Sequence, residues 1–260
     1  MSGKIAIVTG ASGGIGEATC KMLLKEGWQV TGLSRHPGML EGVRYISCDL
    51  RDDAAVKNAI AEAAGDGKID FLVSNAGMGI SGAAAYADME EVRRIFDVNC
   101  LGAISCVLSA RPYLAPKASV VFVTSVAANF SIPFQVYYSA TKSALSAFAR
   151  GLRMELSGLG IRVCAVSPGD VRTGFTDARR KSEAGREVYG DKIRSAVASM
   201  EKDERGAMPP EAVARVIVSV PERIAPPPVL TVGGKYKLFC AIAKLLPARA
   251  IDWIVAKMYA

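Results

Sequence analysis

Thr9-Gly10-Ala11-Ser12-Gly13-Gly14-Ile15-Gly16 is the stretch that decides the fold. It follows Ile5-Ala6-Ile7-Val8, an apolar run of strand length, and opens an amphipathic helical run over residues 14–26 that Gly27 closes. Strand, glycine turn and helix in that order form the first half of a βαβ unit. The glycines let the backbone turn sharply. They also let an anion approach the amides at the helix N-terminus, where unpaired N–H groups and the helix dipole favour negative charge. Gly10, Ser12, Gly13, Gly14, Ile15 and Gly16 are therefore candidates to line the pyrophosphate of a dinucleotide. The spacing is Gly-x-x-x-Gly-x-Gly, and a tight turn that binds nothing is the plain alternative.

Beyond this turn the chain keeps alternating. Strand patterns stand at residues 5–8, 29–33, 43–48, 71–73, 120–124, 162–166 and 229–232, with helical patterns at 14–26, 54–64, 89–113 and 139–156 between them. Pro112 marks the end of the third helical run. Strands separated by helix-length segments need right-handed crossovers. The expected class is α/β: a doubly wound parallel sheet of about seven strands with helices on both faces, in one domain over residues 1–260. Residues 172–205 depart from the pattern, being rich in charge of both signs. A long insertion straight after a strand end predicts a substrate lid, set at residues 172–208. A solvated helical excursion is the alternative.

The chain carries 32 Lys+Arg against 25 Asp+Glu, a formal net charge of +7. No basic run is interleaved with aromatics, so no nucleic-acid partner is expected. An anionic cofactor, an anionic surface or plain solubility would each account for the excess. The six cysteines lie in apolar surroundings with no Cys-x-x-Cys pair. They read as free buried thiols in a reducing compartment, and a cytoplasmic location is expected. His36 is the only histidine, which removes a Ser-His-Asp triad and a histidine-rich metal site, and no metal is expected. Residues 1–9 enter a strand directly, without a secretory pattern, and the apolar segment 238–246 contains Lys244 and is too short to span a bilayer.

Tyr138-Ser139-Ala140-Thr141-Lys142 opens the last long helical run. Four residues advance about one helical turn, so Tyr138 and Lys142 share a face. A phenol has an unperturbed pKa of about 10, and a cation within a few ångströms lowers it. The spacing predicts a tyrosine tuned downward for proton transfer. Tyr137 is the weaker candidate, because four residues on from it stands Thr141. At the end of the second strand, where a carboxylate would grip a ribose 2′-hydroxyl, stand Ser34 and Arg35. Arg35 offers a planar cationic fork suited to a 2′-phosphate, so NADP(H) is expected over NAD(H), an ordinary surface arginine being the alternative. Asp49 and Leu50 follow the third strand and are placed for the adenine ring, although a helix N-cap role for a nearby Asp is equally physical.

In this order the pieces resemble the short-chain dehydrogenase/reductase family across nearly the whole chain. Ser74-Asn75-Ala76-Gly77 looks like the family's Asn-Asn-Ala-Gly turn, Asn99 sits in the long helix, and Ser125 ends a strand ahead of Tyr138 and Lys142. Pro168-Gly169-Asp170-Val171-Arg172-Thr173 follows the sixth strand. The resemblance implies a Rossmann fold and a nicotinamide cofactor. It implies Tyr138 as general acid in reduction and base in oxidation, with Lys142 lowering its pKa and holding the ribose hydroxyls. Ser125 would bond the substrate oxygen, and Asn99 would position a water between Lys142 and solvent. Asn75, Ala76 and Gly77 would contact the cofactor, and Pro168, Gly169, Val171 and Thr173 would orient its carboxamide. Plain structural roles stay open beside these, such as a turn cap for Ser125 and a cross-strand backbone bond for Asn75. Asp170 brings a carboxyl group to the same place without an assigned role.

Candidate pocket walls are Met78, Gly79, Ile80, Asn129, Phe130, Phe134, Val171 and Phe175, most of them apolar. That favours a small apolar ketone or aldehyde and its alcohol as substrate and product. A helical tail over 235–260 is similar to those of steroid, retinol or lipid ketone dehydrogenases. It would line the pocket entrance, form a dimer contact, touch an anionic membrane surface or pack back on its own domain. A homo-oligomer is implied by the resemblance. The function expected is NADP(H)-dependent reduction of an apolar carbonyl. An oxidising alcohol dehydrogenase, a 3-oxoacyl-thioester reductase and a non-catalytic NADP(H)-binding regulator are the alternatives.

Overall fold

The computed structural model describes residues 3–259. In chain order the elements are β1 (Ile5–Thr9), α1 (Gly14–Lys25), β2 (Gln29–Ser34), β3 (Val43–Ser47), α2 (Asp53–Ala64), β4 (Ile69–Ser74) and β5 (Ile80–Ser81). Then come α3 (Met89–Phe96), α4 (Gly102–Ala110), β6 (Leu114–Val123), α5 (Val136–Ser157) and β7 (Arg162–Pro168). The remainder comprises α6 (Phe175–Ala178), β8 (Arg180–Lys181), α7 (Arg186–Tyr189), α8 (Lys192–Arg205), α9 (Pro210–Val218), β9 (Val229–Val232), α10 (Gly234–Ala243) and α11 (Ala248–Tyr259).

Seven strands form one parallel sheet in the order β3-β2-β1-β4-β6-β7-β9. The order reverses between β1 and β4, which opens a crevice beyond their C-terminal ends. Side chains alternate between the two faces, and both faces are dry. Ile7 of β1 joins a core with Ile60 of α2, Val107 of α4 and Leu145 of α5. Its neighbours Ala6 and Val8 join the opposite core, with Leu23 of α1 and Ile217 of α9. Each fully buried Phe or Leu in these layers, such as Phe71 and Phe122, contributes about 2 kcal/mol of transfer free energy.

Several elements differ from the sequence expectation; α9, which buries Val213 and Ile217 in the core with Leu23 of α1, carried no helical expectation. The helical run expected over 89–113 is broken by a π-helical turn, Asp97–Leu101, between α3 and α4, with a 3₁₀ turn, Arg111–Tyr113, at its end. The periodicity ran through unbroken because a π turn adds a residue without exposing the apolar stripe. The segment after β7 is also more ordered than a bare lid. It is bracketed by a bridge between Val171 and Met208 and pairs β8 in parallel with β5, a two-stranded sheet with no sequence signal. Asp52, close after Asp49, caps α2, its carboxylate accepting from the Ala54 and Ala55 amides.

Candidate active site

The turn after β1 is built by contacts, not by flexibility. Gly10 has φ of 65°, and a Cβ there would come within 2.9 Å of the Ala76 backbone. A Cβ on Gly16 would lie 2.1 Å from the Gly10 carbonyl oxygen. Thr9 Oγ1 accepts from the Asn75 and Ala76 amides, and Asn75 Nδ2 donates to the carbonyls of Thr9 and Gly10. Asn75 thus spends its amide on joining the ends of β1 and β4.

Gly13 is different: a Cβ there meets nothing within 4 Å, and its backbone is simply extended. Helix α1 starts without a side-chain cap beside the exposed Ser12 and Gly13. Packing alone asks for no glycine at position 13, whereas a pyrophosphate approaching an uncapped helix start does. Ile15 points instead into the core beside α1.

At the adenosine end, Arg35 is exposed at the tip of β2, and the Ser34 hydroxyl donates to the His36 carbonyl at 2.6 Å. The Asp49 carboxylate is engaged by Arg51, whose Nε and Nη2 lie 3.0 and 2.6 Å from its two oxygens. That hydrogen-bonded pairing holds the Asp49 carboxyl down at about 2. Leu50 is buried against Gly102, a core contact.

The four expected chemical residues converge where β4 and β6 end. Asn99 lies in the π turn, wholly buried. Its Oδ1 accepts from the Met78 amide at 2.7 Å, and its Nδ2 donates to the Met78 carbonyl and to Thr141 Oγ1. Lys142 is buried and donates to the Val123 carbonyl at 2.9 Å. A Cβ on Gly77 would sit 3.3 Å from Asn99 Oδ1 and 3.4 Å from Lys142 Nζ, so these two polar atoms line one small space. Ser125 Oγ accepts from the Ala127 amide, which leaves its hydrogen free for another acceptor. Tyr137 turns away, its hydroxyl donating to the Ala84 carbonyl. Thr141, which sequence reasoning passed over, ties the set together: it donates to the Tyr138 carbonyl and accepts from Asn99.

The expected depression of the Tyr138 pKa is reversed here. Desolvation pushes the phenol up to about 12, opposed by a hydrogen bond with Ser125. Burial likewise brings Lys142 down to about 8. The Lys142 ammonium lies 5.8 Å from the centre of the Tyr138 ring and is bonded to Val123. The low dielectric of the buried site outweighs the hydrogen bond that would lower the phenol.

Beyond Tyr138, Phe175 of the segment after β7 packs against the phenol with ring centres 5.7 Å apart and planes tilted by 55°. That segment is pinned from behind by a buried group absent from the sequence expectations. Arg179 is ion-paired to Glu204, which also accepts from Thr176 Oγ1, and the Gln135 amide, turned with its oxygen toward Arg179, accepts from it at 3.2 Å. Thr173 packs at 3.2 Å from the Cβ position of Gly14, joining the loop after β7 to the glycine turn. Pro168 pairs with Val232 of β9, and Val171 bridges to Met208.

Gly169 accommodates the ring of Tyr236, which a Cβ would strike at 2.0 Å, and the Tyr236 hydroxyl donates to Asp170. Asp170 thereby gains a role as the anchor of the tail. Phe130 stacks on Phe239 at 4.7 Å, so the tail packs back on its own chain and covers the loop after Ser125. Asn129 contacts Cys240 there as well. Phe134 has φ of 61° and packs edge-on against Tyr189 of α7. Met78, Gly79 and Ile80 run from the Asn99 amide to the β5–β8 pair, with Gly79 against Phe175. Among the described residues no His/Cys/Asp/Glu cluster suits a metal, and no helix is long and apolar enough to cross a membrane.

A family model for short chain dehydrogenases matches residues 4–184. The 3-ketodihydrosphingosine reductase of Bacteroides thetaiotaomicron is 33% identical, aligned over 100% of this chain and 99% of that protein. The NADPH-dependent 1-acyldihydroxyacetone phosphate reductase of Saccharomyces cerevisiae is 32% identical over 83% of this chain and 77% of its own length. The solved structure of a 3-ketoacyl-(acyl-carrier-protein) reductase from Brucella melitensis, complexed with NADH, is similar at a TM-score of 0.74 and 25% identity, covering 90% of this chain and 98% of that one. A family match over most of the chain, a relative alike from end to end and the shared seven-stranded architecture lead to one assignment: this chain belongs to the short-chain dehydrogenase/reductase family of nicotinamide-dependent oxidoreductases.

Proposed function

We propose that this chain is an NADP(H)-dependent reductase of an apolar ketone or aldehyde, in particular a lipid ketone, with Tyr138 as general acid. The observation that carries this is the convergence of Asn99, Ser125, Tyr138 and Lys142 at the ends of β4 and β6, beside an unfilled glycine turn. Bound nicotinamide supplies hydride to the carbonyl carbon. The Ser125 hydroxyl, already within hydrogen-bonding reach of Tyr138, would hold the carbonyl oxygen beside the phenol and stabilise the charge that develops on it. Tyr138 gives that oxygen its proton. A phenol pushed up to about 12 holds its proton at neutral pH, which is the state reduction needs. Lys142, close behind, stabilises the phenolate left over, and Asn99, sharing its space beside Gly77, orders the path by which the proton is restored.

Arg35 supports the choice of NADP(H). It stands exposed at the end of β2, where a 2′-phosphate would lie, and the Asp49 carboxylate, which feels its charge, is already paired with Arg51. Asp49 and Leu50 stand beyond it, placed for the adenine ring. Gly10, Gly14 and Gly16 would shape the pyrophosphate turn, and Thr173, packed against Gly14 from the loop after Pro168 and Gly169, would orient the carboxamide. Apolar Phe130, Phe175 and Val171 favour an apolar substrate, and two relatives are named as reductases of a ketosphingoid and of an acylated dihydroxyacetone phosphate. Segment 172–208 serves as the lid. Exposed Leu101, Leu108 and Met154, on and beside α4 and α5, support a homo-oligomer through those helices, and six free cysteines support a reducing, cytoplasmic setting.

The test is NADPH consumption with a panel of aliphatic ketones and aldehydes. Tyr138→Phe is expected to lower kcat about 10³-fold while leaving the Kd for NADPH unchanged. Turnover unaffected by that change overturns the assignment.

A further inference from the structure

We propose that the outer face of α10 and α11 is a docking surface for an anionic phospholipid bilayer. Both helices bury one side in a single cluster, with Phe239, Cys240 and Ala243 from α10 meeting Ile251, Val255 and Tyr259 from α11 around Phe130. Their opposite sides therefore face away from the domain. On α10 and the turn after it, Leu238, Ile242 and Leu245 recur at helical spacing and are 64%, 46% and 86% exposed. On α11, Trp253 and Met258 are more than half exposed. A folded domain leaves such a cluster of large apolar side chains bare only where something covers it.

Charge names the cover. Residues 234–259 contain five cations, Lys235, Lys237, Lys244, Arg249 and Lys257, against one acid, Asp252. All five cations are exposed, and none is in an ion pair among the described residues. The segment 172–208, by contrast, pairs most of its charges internally. A second copy of the chain would bring the same positive charge and repel. A bilayer carrying phosphate headgroups complements it, with the aliphatic side chains entering the acyl boundary and the lysines reaching headgroups. Trp253, with Lys257 held 5.1 Å from its ring, suits the interface between the two. The inner side of the same tail touches Asn129, Phe130 and Asp170, so docking would set the mouth of the cleft at the lipid surface.

Sedimentation of the full chain with phosphatidylcholine vesicles, and with vesicles three parts phosphatidylcholine to one part phosphatidylglycerol, tests this. Binding about tenfold stronger to the anionic vesicles, lost at high salt, is expected. Trp253 emission should shift to the blue, Trp28 being buried already. The double variants Ile242→Glu/Leu245→Glu and Lys237→Glu/Lys244→Glu should each lose that binding about tenfold. NADPH affinity and turnover of a water-soluble ketone should stay unchanged in both. Equal binding to both vesicles, no binding, or binding indifferent to both variants overturns the proposal. So does a dimer by light scattering that Ile242→Glu/Leu245→Glu makes monomeric. Turnover is measured separately, so failure of the reductase assignment leaves this result readable.

Discussion

The nucleotide end and the substrate end of the crevice are made in different ways. At the nucleotide end, Gly10, Gly16, Thr9 and Asn75 lock together through backbone contacts at the tips of adjacent strands. At the substrate end, Phe175, Arg179 and Tyr236 are held by partners far away in sequence, namely Tyr138, Glu204 and Asp170. The first is a rigid frame whose tolerances are set by single atoms. The second is an assembly of side chains that can be altered piece by piece without disturbing the sheet.

The largest test of that contrast is within the glycine turn. Gly16→Ala should cost about 4 kcal/mol or more, read from urea unfolding, because the new Cβ meets a backbone oxygen that cannot yield. Gly13→Ala, with open space around it, should cost less than about 1 kcal/mol and act on NADPH affinity instead. Similar losses in both would break the distinction between a packing glycine and a cradle glycine. At the substrate end, Glu204→Ala leaves the buried Arg179 without its counter-charge and should cost about 3 kcal/mol. NADPH affinity should barely change, whereas an equal loss of cofactor binding would mean that the two ends are one unit.

Lys142 supplies a pH test at the junction of the two. Its folded pKa is about 8, and its unfolded value is about 10.4. Between these values the unfolded chain still holds a proton that the folded chain has released, so stability rises with pH across that window. Below it, the cost of burying the charged amine is present in full. Lys142→Met should flatten the rise by up to about 1.4 kcal/mol per pH unit in cofactor-free protein. An unchanged slope would show that the amine is not desolvated. The smallest effect belongs to the exposed edge: Arg35→Ala should weaken NADPH binding about tenfold and NADH binding hardly at all. Equal weakening would remove the 2′-phosphate assignment.

Much of the site could be seen in the chain because its cues are local. The glycine turn, the strand ends at Ser34, Ser74 and Ser125, and the four-residue step from Tyr138 to Lys142 each lie within a single element or its cap. The π turn at Asn99 was hidden because a 3.6-residue pattern continues on both sides of it. The roles of Asp170 and Arg179 were hidden because their partners stand 66 and 25 residues away. The pKa direction of Tyr138 was misjudged because spacing reports which groups are neighbours, not how much water they have lost.

The seven main strands, the helices between the first six, the family and the candidate chemical residues were legible in the sequence itself, since hydrophobic period, glycine placement and helical spacing are properties of short windows. Burial was decided only when the layers closed. Which face of Gly13 stays open, which ion pair pins the segment over Tyr138 and which side of the tail meets solvent depend on packing between distant parts of the chain. Dielectric and steric surroundings are collective quantities, and no short window of residues contains them.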